Sequence, residues 1–178
     1  MKTLYLLRHG TALSAAAGGD RERPLAPKGK EDCRALGKIM AAKGYIPDYA
    51  LCSPALRTVE TLEAIGGKKH IKRIFYPDVL YNGVTGDLLA EIQKIPDDAD
   101  QVLVLAHIPG IHALAGMLAG RGKPAMIRKL IEGYNAGTLS VLSCACERWA
   151  EIQPGENELT DLLDPLDYNA PAGPTRWT

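Results

Sequence analysis

The chain has 178 residues, enough for one domain built around a single core. Its 21 Lys and Arg residues balance its 21 Asp and Glu residues, which argues against nucleic acid or an anionic membrane as a partner. Apolar runs all fall short of the roughly 18 residues of a membrane span. The N-terminus also lacks the pattern of a signal peptide, so we expect a cytoplasmic protein.

The four cysteines, Cys33, Cys52, Cys144 and Cys146, follow no common disulfide spacing. Cys144 and Cys146 form a close pair, but a structural zinc site needs a second pair of Cys or His ligands. We therefore expect reduced thiols with structural roles and no metal site.

The first predicted strand covers residues 2–8 and ends in Arg8, His9 and Gly10. In open α/β sheets, ligands bind beyond the carboxyl ends of the strands. Arg8 would bring a charged fork suited to phosphate or carboxylate, and His9 a nucleophile or base. Gly10 would allow the backbone to approach a ligand closely. A strand that simply ends in solvated polar residues is the plain alternative.

Residues 11–26 predict a long loop, and ordered loops of that length are usually functional. Pro27 can begin a helix, which then carries an apolar stripe and ends at Gly44.

A short strand over 48–52 leads into a second helix, for which Ser53 is the expected N-cap and Pro54 the first residue. Arg57 then falls in the first turn, outside the face predicted to meet the core. A cation is unfavourable at a helix N-terminus, whereas an anion binds there readily. Arg57 thus suggests an anion site, with a solvated arginine as the alternative. The residues expected to face the core are Leu56, Val59, Leu62 and Ile65.

The next predicted elements are a third strand over 71–76, a loop over 77–86 and a short helix around 88–95. Residues 101–106 give the strongest strand signal, and their continuous apolar character predicts a central strand covered on both faces. That strand ends at His107, so a second imidazole follows a second buried strand. A helix rich in Ala, Leu and Met comes after it.

Residues 124–132 predict a short helix, and 138–143 and 148–153 predict two strands of a terminal hairpin at the sheet edge. We expect a domain over 1–163 and an irregular tail over 164–178, in which Trp177 either docks or does not. The alternation of strands and helices predicts an α/β layered sheet. Its rim would bring Arg8, His9, Arg57 and His107 together.

Two motifs and a histidine point to a family. Leu7-Arg8-His9-Gly10-Thr11 resembles the RHG motif of the histidine phosphatase superfamily, and Ser53-Pro54-Ala55-Leu56-Arg57-Thr58 resembles its second motif. His107 after an apolar strand is similar to its second catalytic histidine. The short chain, together with Arg23-Pro24-Leu25…Gly29 and Thr58-Val59-Glu60-Thr61-Leu62, looks most like the SixA-type phosphohistidine phosphatases. The resemblance covers roughly residues 2–145.

The resemblance implies a phosphoglycerate mutase-like fold: a three-layer sandwich with a mostly parallel sheet, helices on both faces and no large cap insertion. It implies that His9 is the nucleophile and becomes phosphorylated, while Arg8, Arg57 and His107 hold the phosphoryl oxygens. Such transfer depends on positioning and charge stabilisation, which these groups supply, so we expect no cofactor and no metal. Further candidate substrate-binding residues are Gly10, Thr11, Asn82 and Arg23.

One position departs from the family pattern. Where many members carry an acidic proton donor after the third strand, this chain has Asn82. Asp87 is the nearest candidate acid, although it could instead cap a helix, and Asp78 is a weaker candidate. Imidazole is a far less basic leaving group than an alkoxide, so the missing acid should harm phosphohistidine cleavage less than ester cleavage.

Three functions therefore compete: a phosphatase for phosphohistidine in a protein of the histidine phosphocarrier type, a phosphatase for small phosphate esters or nucleotides, and a phosphate-binding module with little turnover. The sequence offers little for a specificity cap, which favours an open site and a protein substrate. His70 lies in a basic cluster that is either a solvated edge or a contact for an acidic protein substrate. His112, inside a predicted helix, is expected to be structural. The other residues of the basic cluster are Lys68, Lys69, Lys72 and Arg73.

Overall fold

The computed structural model describes residues 1–168; Trp177 and the rest of the predicted tail beyond 168 lie outside the described residues. The strands are β1 (Lys2–Arg8), β2 (Tyr49–Cys52), β3 (Arg73–Phe75), β4 (Gln101–Ala106), β5 (Ala119–Gly122), β6 (Leu139–Cys144) and β7 (Asn157–Leu163). The helices are α1 (Pro27–Ala42), α2 (Leu56–Ala64), α3 (Gly67–His70), α4 (Val79–Asn82), α5 (Thr85–Ile92), α6 (Gly110–Leu118), α7 (Pro124–Glu132) and α8 (Pro165–Tyr168).

The seven strands form one sheet in the order β3-β2-β4-β1-β6-β7-β5. The pairs β3–β2, β2–β4, β4–β1 and β5–β7 are parallel, while β6 runs antiparallel to both β1 and β7. In the register of β1 with β4, Arg8 lies opposite Ala106. The residues that follow these two strands, His9 and His107, therefore leave the sheet side by side.

The core lies on both faces of the sheet because residues 4–7 of β1 and 102–106 of β4 are apolar at every position. Leu4, Leu6, Val102 and Val104 pack with α4, α5, α6 and α7 on one face. Tyr5, Leu7, Leu103 and Leu105 pack with α1 and α2 on the other. The prediction of an α/β sandwich with helices on both faces of a mostly parallel sheet is confirmed. In residues 1–168, every helix is too short or too polar to cross a bilayer.

The sequence-based prediction of a strand over 148–153 was wrong. Trp149–Glu151 form a 3-10 turn, in which Trp149 is fully buried and its indole N–H donates to the Ala99 carbonyl at 2.7 Å. The buried indole of Trp149 and its hydrogen bond hold this segment against the core as a turn. The strand that pairs with β6 is instead β7, further along the chain.

The edge strand β5 had no signal in the sequence. It runs through Gly120, whose missing Cβ would lie 1.6 Å from the Gly155 carbonyl oxygen. This strand depends on the close approach of the backbones at Gly120 and Gly155, and its sequence has no apolar pattern that would predict it.

Three local predictions also need correction. The second helix begins at Leu56 and not at Pro54, and Ala55 is its N-cap. The loop expected over 77–86 contains α4, and α8 forms at the start of the tail that was expected to be irregular. The α8 residue Tyr168 explains that helix, since its hydroxyl donates to the Gly137 carbonyl at 2.7 Å and its ring packs against the core.

Candidate active site

A polar cleft of about 340 Å³ opens at the carboxyl ends of the central strands. Arg8 ends β1 and His9 follows it, His107 follows β4, and Arg57 lies in the first turn of α2. The structure thus brings together the four residues that the sequence placed at this rim. The other lining residues are Thr11, Ala12, Arg23, Ile108 and Ala136.

His9 has the contacts of a neutral nucleophile. Its Nδ1–H donates to the carbonyl oxygen of Gly10 at 2.7 Å, which leaves the Nε2 lone pair free. The ring is buried, and burial lowers the pKa of His9 to about 4, with a smaller contribution from the nearby Arg57 and Arg8 charges. His9 is therefore neutral at pH 7 and presents Nε2 to the cleft.

Arg57 lies within the protein, although the sequence placed it outside the core-facing side of its helix. It is only 5% exposed, because the buried face of α2 carries Arg57, Thr58, Thr61 and Leu62, while Leu56 and Val59, which were expected to face the core, are half-buried. Its Nη1 donates to the Asp20 carbonyl at 2.8 Å, and its Nη2 to the Asp20 carboxylate at 3.1 Å. Its Nε–H has no partner among the described residues.

Arg8 is held in a similar way from the opposite side. Its Nη1 donates to the carbonyl oxygen of Tyr134 at 2.7 Å, and its Nε–H likewise lacks a partner in the part of the chain described. Burial lowers the pKa of Arg8, but an arginine remains charged at any physiological pH. Each guanidinium group is thus held by a backbone carbonyl, and each keeps an Nε–H that has no partner among the described residues.

His107 completes the group. Its Nε2 lies 2.7 Å from the hydroxyl oxygen of Ser53, while its Nδ1 is buried with no partner in residues 1–168. Burial is the main cause that lowers the pKa of His107 to about 3, followed by the charges of His9 and Arg57. The centroids of the His107 and His9 rings are 5.1 Å apart.

These unpartnered atoms have a common explanation. Buried polar groups nearly always have a hydrogen-bond partner, so each exception calls for one. In the described chain there are five such side-chain atoms, and three of them, Arg8 Nε, Arg57 Nε and His107 Nδ1, belong to residues that line this cleft. Two guanidinium N–H groups and an imidazole around a free histidine lone pair suit a phosphoryl group.

Asp20 organises the mouth of the cleft. Besides its contacts to Arg57, its carboxylate accepts hydrogen bonds from Arg23 Nε at 2.8 Å and from the Tyr81 hydroxyl at 2.7 Å. These hydrogen bonds, that of Tyr81 first, hold the pKa of Asp20 at about 2. Tyr81 also packs edge-on against His107, with ring centroids 5.7 Å apart. Arg23 lines the cleft, in agreement with the sequence-based expectation.

Gly10 and Thr11 have different places. Thr11 lines the cleft, whereas Gly10 is buried behind it and its N–H donates to Thr61 Oγ1 at 3.0 Å. A Cβ on Gly10 would lie 2.5 Å from Cys33 Sγ and 3.1 Å from the Gly29 carbonyl oxygen. Glycine is needed here so that the loop can approach α1 closely, and not so that the backbone can approach a ligand.

The structure does not bring the candidate acids to the cleft. Asp87 caps α5, where its carboxylate accepts the Val84 N–H at 3.0 Å. Asp78 is exposed and pairs with Arg21. Asn82 is exposed at the end of α4 and does not line the cleft. The carboxylate that does reach the mouth is Asp20, and its low pKa keeps it ionised.

Two residues of the site were missed from the sequence. Ser53 was assigned as a helix cap, and Tyr81 was passed over beside Asn82. Ser53 carries a weak signal, because it directly follows a buried strand as His9 and His107 do. Tyr81 carries none, since its ring reaches His107 only through the turn of α4.

The other candidate groups lie elsewhere. His112 is structural: its Nε2 lies 2.6 Å from the Leu130 carbonyl oxygen and its ring stacks on Tyr134. In the basic cluster, Lys68 pairs with Glu63 and Arg73 with Asp98. All four cysteines are free thiols, and residues 1–168 contain no group of three side chains suited to hold a metal ion.

Comparison with known families identifies one match. The model of the histidine phosphatase superfamily, branch 1, matches residues 4–79, which include Arg8, His9 and Arg57. An uncharacterized protein of Mycobacterium tuberculosis is 30% identical over 151 residues, which cover 84% of this chain and 93% of that protein. The phosphohistidine phosphatase SixA of Escherichia coli is 28% identical over 126 residues, covering 69% of this chain and 78% of SixA.

Solved structures give the same picture. A candidate phosphohistidine phosphatase SixA from Nakamurella superposes with a TM-score of 0.79 at 33% identity, covering 93% of this chain and 96% of that one. A second, from Agrobacterium tumefaciens, gives 0.75 at 27% identity, covering 92% and 98%. SixA in complex with tungstate gives 0.69 at 21% identity, covering 92% and 97%, which shows a shared fold.

Proposed function

The chain belongs to the histidine phosphatase superfamily, and on that premise we propose that it removes phosphate from phosphohistidine in a protein by way of a phosphorylated His9. One observation carries the proposal. Three buried polar atoms without partners among the described residues, Arg8 Nε, Arg57 Nε and His107 Nδ1, belong to residues that line a cleft, and this cleft also presents the free Nε2 of His9. A site built only to bind phosphate has no use for that lone pair.

In the first step, His9 Nε2 attacks phosphorus in line with the substrate nitrogen. The new N–P bond forms as the old one breaks, and the substrate imidazole keeps the electron pair and leaves neutral if its second nitrogen carries a proton. The positive charge that develops on the phosphorylated His9 ring is stabilised by its Nδ1–H bond to the Gly10 carbonyl. Arg8 and Arg57 stabilise the phosphoryl oxygens.

In the second step, water attacks the same phosphorus. The O–P bond forms, the His9 Nε2–P bond breaks with its electron pair returning to the ring, and the water proton leaves with the phosphate or to solvent. Splitting the reaction in this way replaces one difficult displacement by two easier ones. The charges needed come from side chains already in place, which supports hydrolysis without a metal.

The lack of a proton-donating acid in the cleft favours phosphohistidine as the substrate. The carboxylate at the cleft mouth, Asp20, is ionised, and Asp78 and Asp87 are engaged away from the cleft. Without an acid, an alkoxide with a pKa near that of water (about 15.7) is a poor leaving group. An imidazole, whose conjugate acid has a pKa of about 6.5, leaves without such help. The names of the SixA relatives agree with this choice.

The openness of the site supports a protein substrate. The cleft wall includes Ile108, which is 44% exposed, and Leu13, on the loop that carries Asp20, is equally exposed. Exposed apolar side chains at the mouth of a site suit contact with a protein surface more than with a small sugar phosphate. A small phosphate ester remains the second candidate, because the anion site itself accepts any phosphoryl group.

The decisive experiment measures phosphate release in EDTA from a phosphohistidine-carrying protein and from p-nitrophenyl phosphate, with the wild type and His9→Ala. We expect release from the protein that requires His9 and exceeds release from the ester. His70→Ala is the control, since that histidine is exposed and lies outside the cleft.

Faster turnover of the ester would instead assign a general phosphomonoesterase. Absence of release from both substrates, with phosphate still bound in calorimetry, would assign a binding module. Release that EDTA abolishes would contradict the metal-free mechanism.

A further inference from the structure

We propose that Ser53 is a positioning residue that fixes the tautomer of His107, so that the proton of the neutral ring is on Nδ1 and available to the phosphoryl group. This inference rests on the proposed function for its catalytic meaning, but the tautomer itself can be measured without any substrate. It assigns a task to a hydroxyl that the mechanism above does not use.

The direction of the hydrogen bond follows from the contacts of Ser53. Ser53 is 0% exposed, and its Oγ has two neighbours within hydrogen-bond distance in the described chain: the Ala55 N–H at 3.4 Å and His107 Nε2 at 2.7 Å. The Ala55 N–H is a donor and cannot accept the hydroxyl proton. His107 Nε2 is therefore the acceptor, which requires a lone pair on Nε2 and places the ring proton on Nδ1.

The backbone holds Ser53 firmly enough to impose this arrangement. Its N–H donates to the Leu105 carbonyl at 2.9 Å, on the strand that leads to His107. Its own carbonyl accepts the Thr58 hydroxyl at 2.7 Å, from the first turns of α2. Ser53 thus joins β4, which carries His107, to the helix that carries Arg57.

The consequence concerns the neutral form of His107. With the proton on Nδ1, a neutral imidazole still donates a hydrogen bond to an anion. With the proton on Nε2, the Nδ1 lone pair would meet the phosphoryl oxygens and repel them. Misassigned histidine tautomers are costly in catalysis, as the triad of serine proteases shows. Ser53 removes that second form by engaging Nε2.

The first test is nitrogen NMR of the free protein labelled with ¹⁵N-histidine, which distinguishes a protonated ring nitrogen from one with a lone pair. In the wild type we expect His107 Nδ1 to carry the proton. In Ser53→Ala we expect a mixture or a reversal. Thr138→Val is the control, because it removes a buried hydroxyl that has no hydrogen-bond partner in residues 1–168, and the tautomer should persist.

The second test is the pH profile of turnover. Because the pKa of His107 is about 3, its ring stays neutral and its tautomer matters throughout the range from pH 5 to pH 8. Ser53→Ala should therefore lose about tenfold or more in kcat at pH 8, since a single donor to a transition state is worth about 100-fold. The loss should be of the same size from pH 8 down to pH 5. The titratable and charged groups that face His107 are His9, Arg57, Arg23, Asp20 and Tyr81.

Because the same groups face His107 in the wild type and in the variant, the ratio of the two profiles isolates the contribution of Ser53. Ser53→Thr keeps the hydroxyl and should recover most of the activity and the wild-type tautomer. A wild-type spectrum with the proton on Nε2 would overturn the proposal, and so would an unchanged tautomer in Ser53→Ala. If the tautomer behaves as expected but no phosphate is released from any substrate, the proposed function fails and the assignment of Ser53 stands.

Discussion

Arg57 is held at the cleft by both the backbone and the side chain of Asp20. Its Nη1 donates to the Asp20 carbonyl at 2.8 Å and its Nη2 to the carboxylate at 3.1 Å. The carboxylate is 55% exposed, while the Arg57 side chain is 6% exposed. The same contact thus fixes the orientation of a buried cation and places a negative charge at the entrance of an anion site.

For phosphate binding, the negative charge of Asp20 should matter more than its role in orienting Arg57. Asp20→Asn keeps an oxygen that can accept from Arg57 and removes the negative charge, so we expect phosphate to bind more tightly. An exposed charge of this kind is worth up to about 1 kcal/mol, or roughly fivefold in Kd. Calorimetry with inorganic phosphate at two salt concentrations measures it.

Asp78→Asn provides the comparison, because Asp78 is an exposed acid that pairs with Arg21 and not with Arg57. Its phosphate affinity should stay close to that of the wild type. Weaker binding in Asp20→Asn would mean that Asp20 acts mainly by ordering Arg57.

Replacing Arg57 by lysine should show that the guanidinium group, and not merely its charge, is needed. Arg57→Lys keeps the positive charge but loses the unpartnered Nε–H and the planar fork. We expect kcat/KM to fall about 100-fold, as for the loss of one transition-state donor. Steady-state kinetics measure this, with the exposed Arg34→Lys as the control. Near wild-type activity in Arg57→Lys would remove Arg57 Nε from the mechanism.

Gly10 should be sensitive to a single methyl group. Gly10→Ala would place a Cβ 2.5 Å from Cys33 Sγ, so the loop after β1 must shift. Overpacking of this kind costs about 1–3 kcal/mol in the free energy of unfolding, which urea titration measures. Adding Cys33→Ala removes the clashing sulfur and should recover part of the loss. Additive effects of the two substitutions would show that Cys33 is not the source of the strain.

Stability should fall as the pH is lowered from 7 to 5. The pKa values of His9 and His107 in the folded protein are about 4 and about 3, against an unfolded value of about 6.5. Between these values the unfolded chain binds protons that the folded protein does not, so acid favours unfolding. We expect a loss on the order of 2 kcal/mol per histidine at pH 5.

The comparison of wild type with His9→Gln tests this assignment. The variant cannot titrate at position 9, so its free energy of unfolding should depend less steeply on pH over the same interval. An equal slope in the two proteins would mean that His9 is protonated at its ordinary pKa in the folded state.

Sequence alone predicted the central sheet and three residues of the candidate site. The run at 102–106 is apolar at every position, which is typical of a strand covered on both faces. β1 has the same character, so Arg8, His9 and His107 had to emerge at the carboxyl ends of buried strands. Local chemistry and strand order sufficed for these residues, and their resemblance to a family followed from the same motifs.

Tertiary structure decided the rest, because the deciding contacts join distant parts of the chain. Trp149 forms a turn instead of a strand because its indole reaches Ala99, fifty residues away. Arg57 is buried because Asp20 receives it from another loop, and no helical periodicity contains that information. Ser53 looked like a cap from its neighbours in sequence and became a partner of His107 once β2 and β4 paired. Propensity and pattern act over a few residues, whereas these assignments depend on which backbones lie side by side.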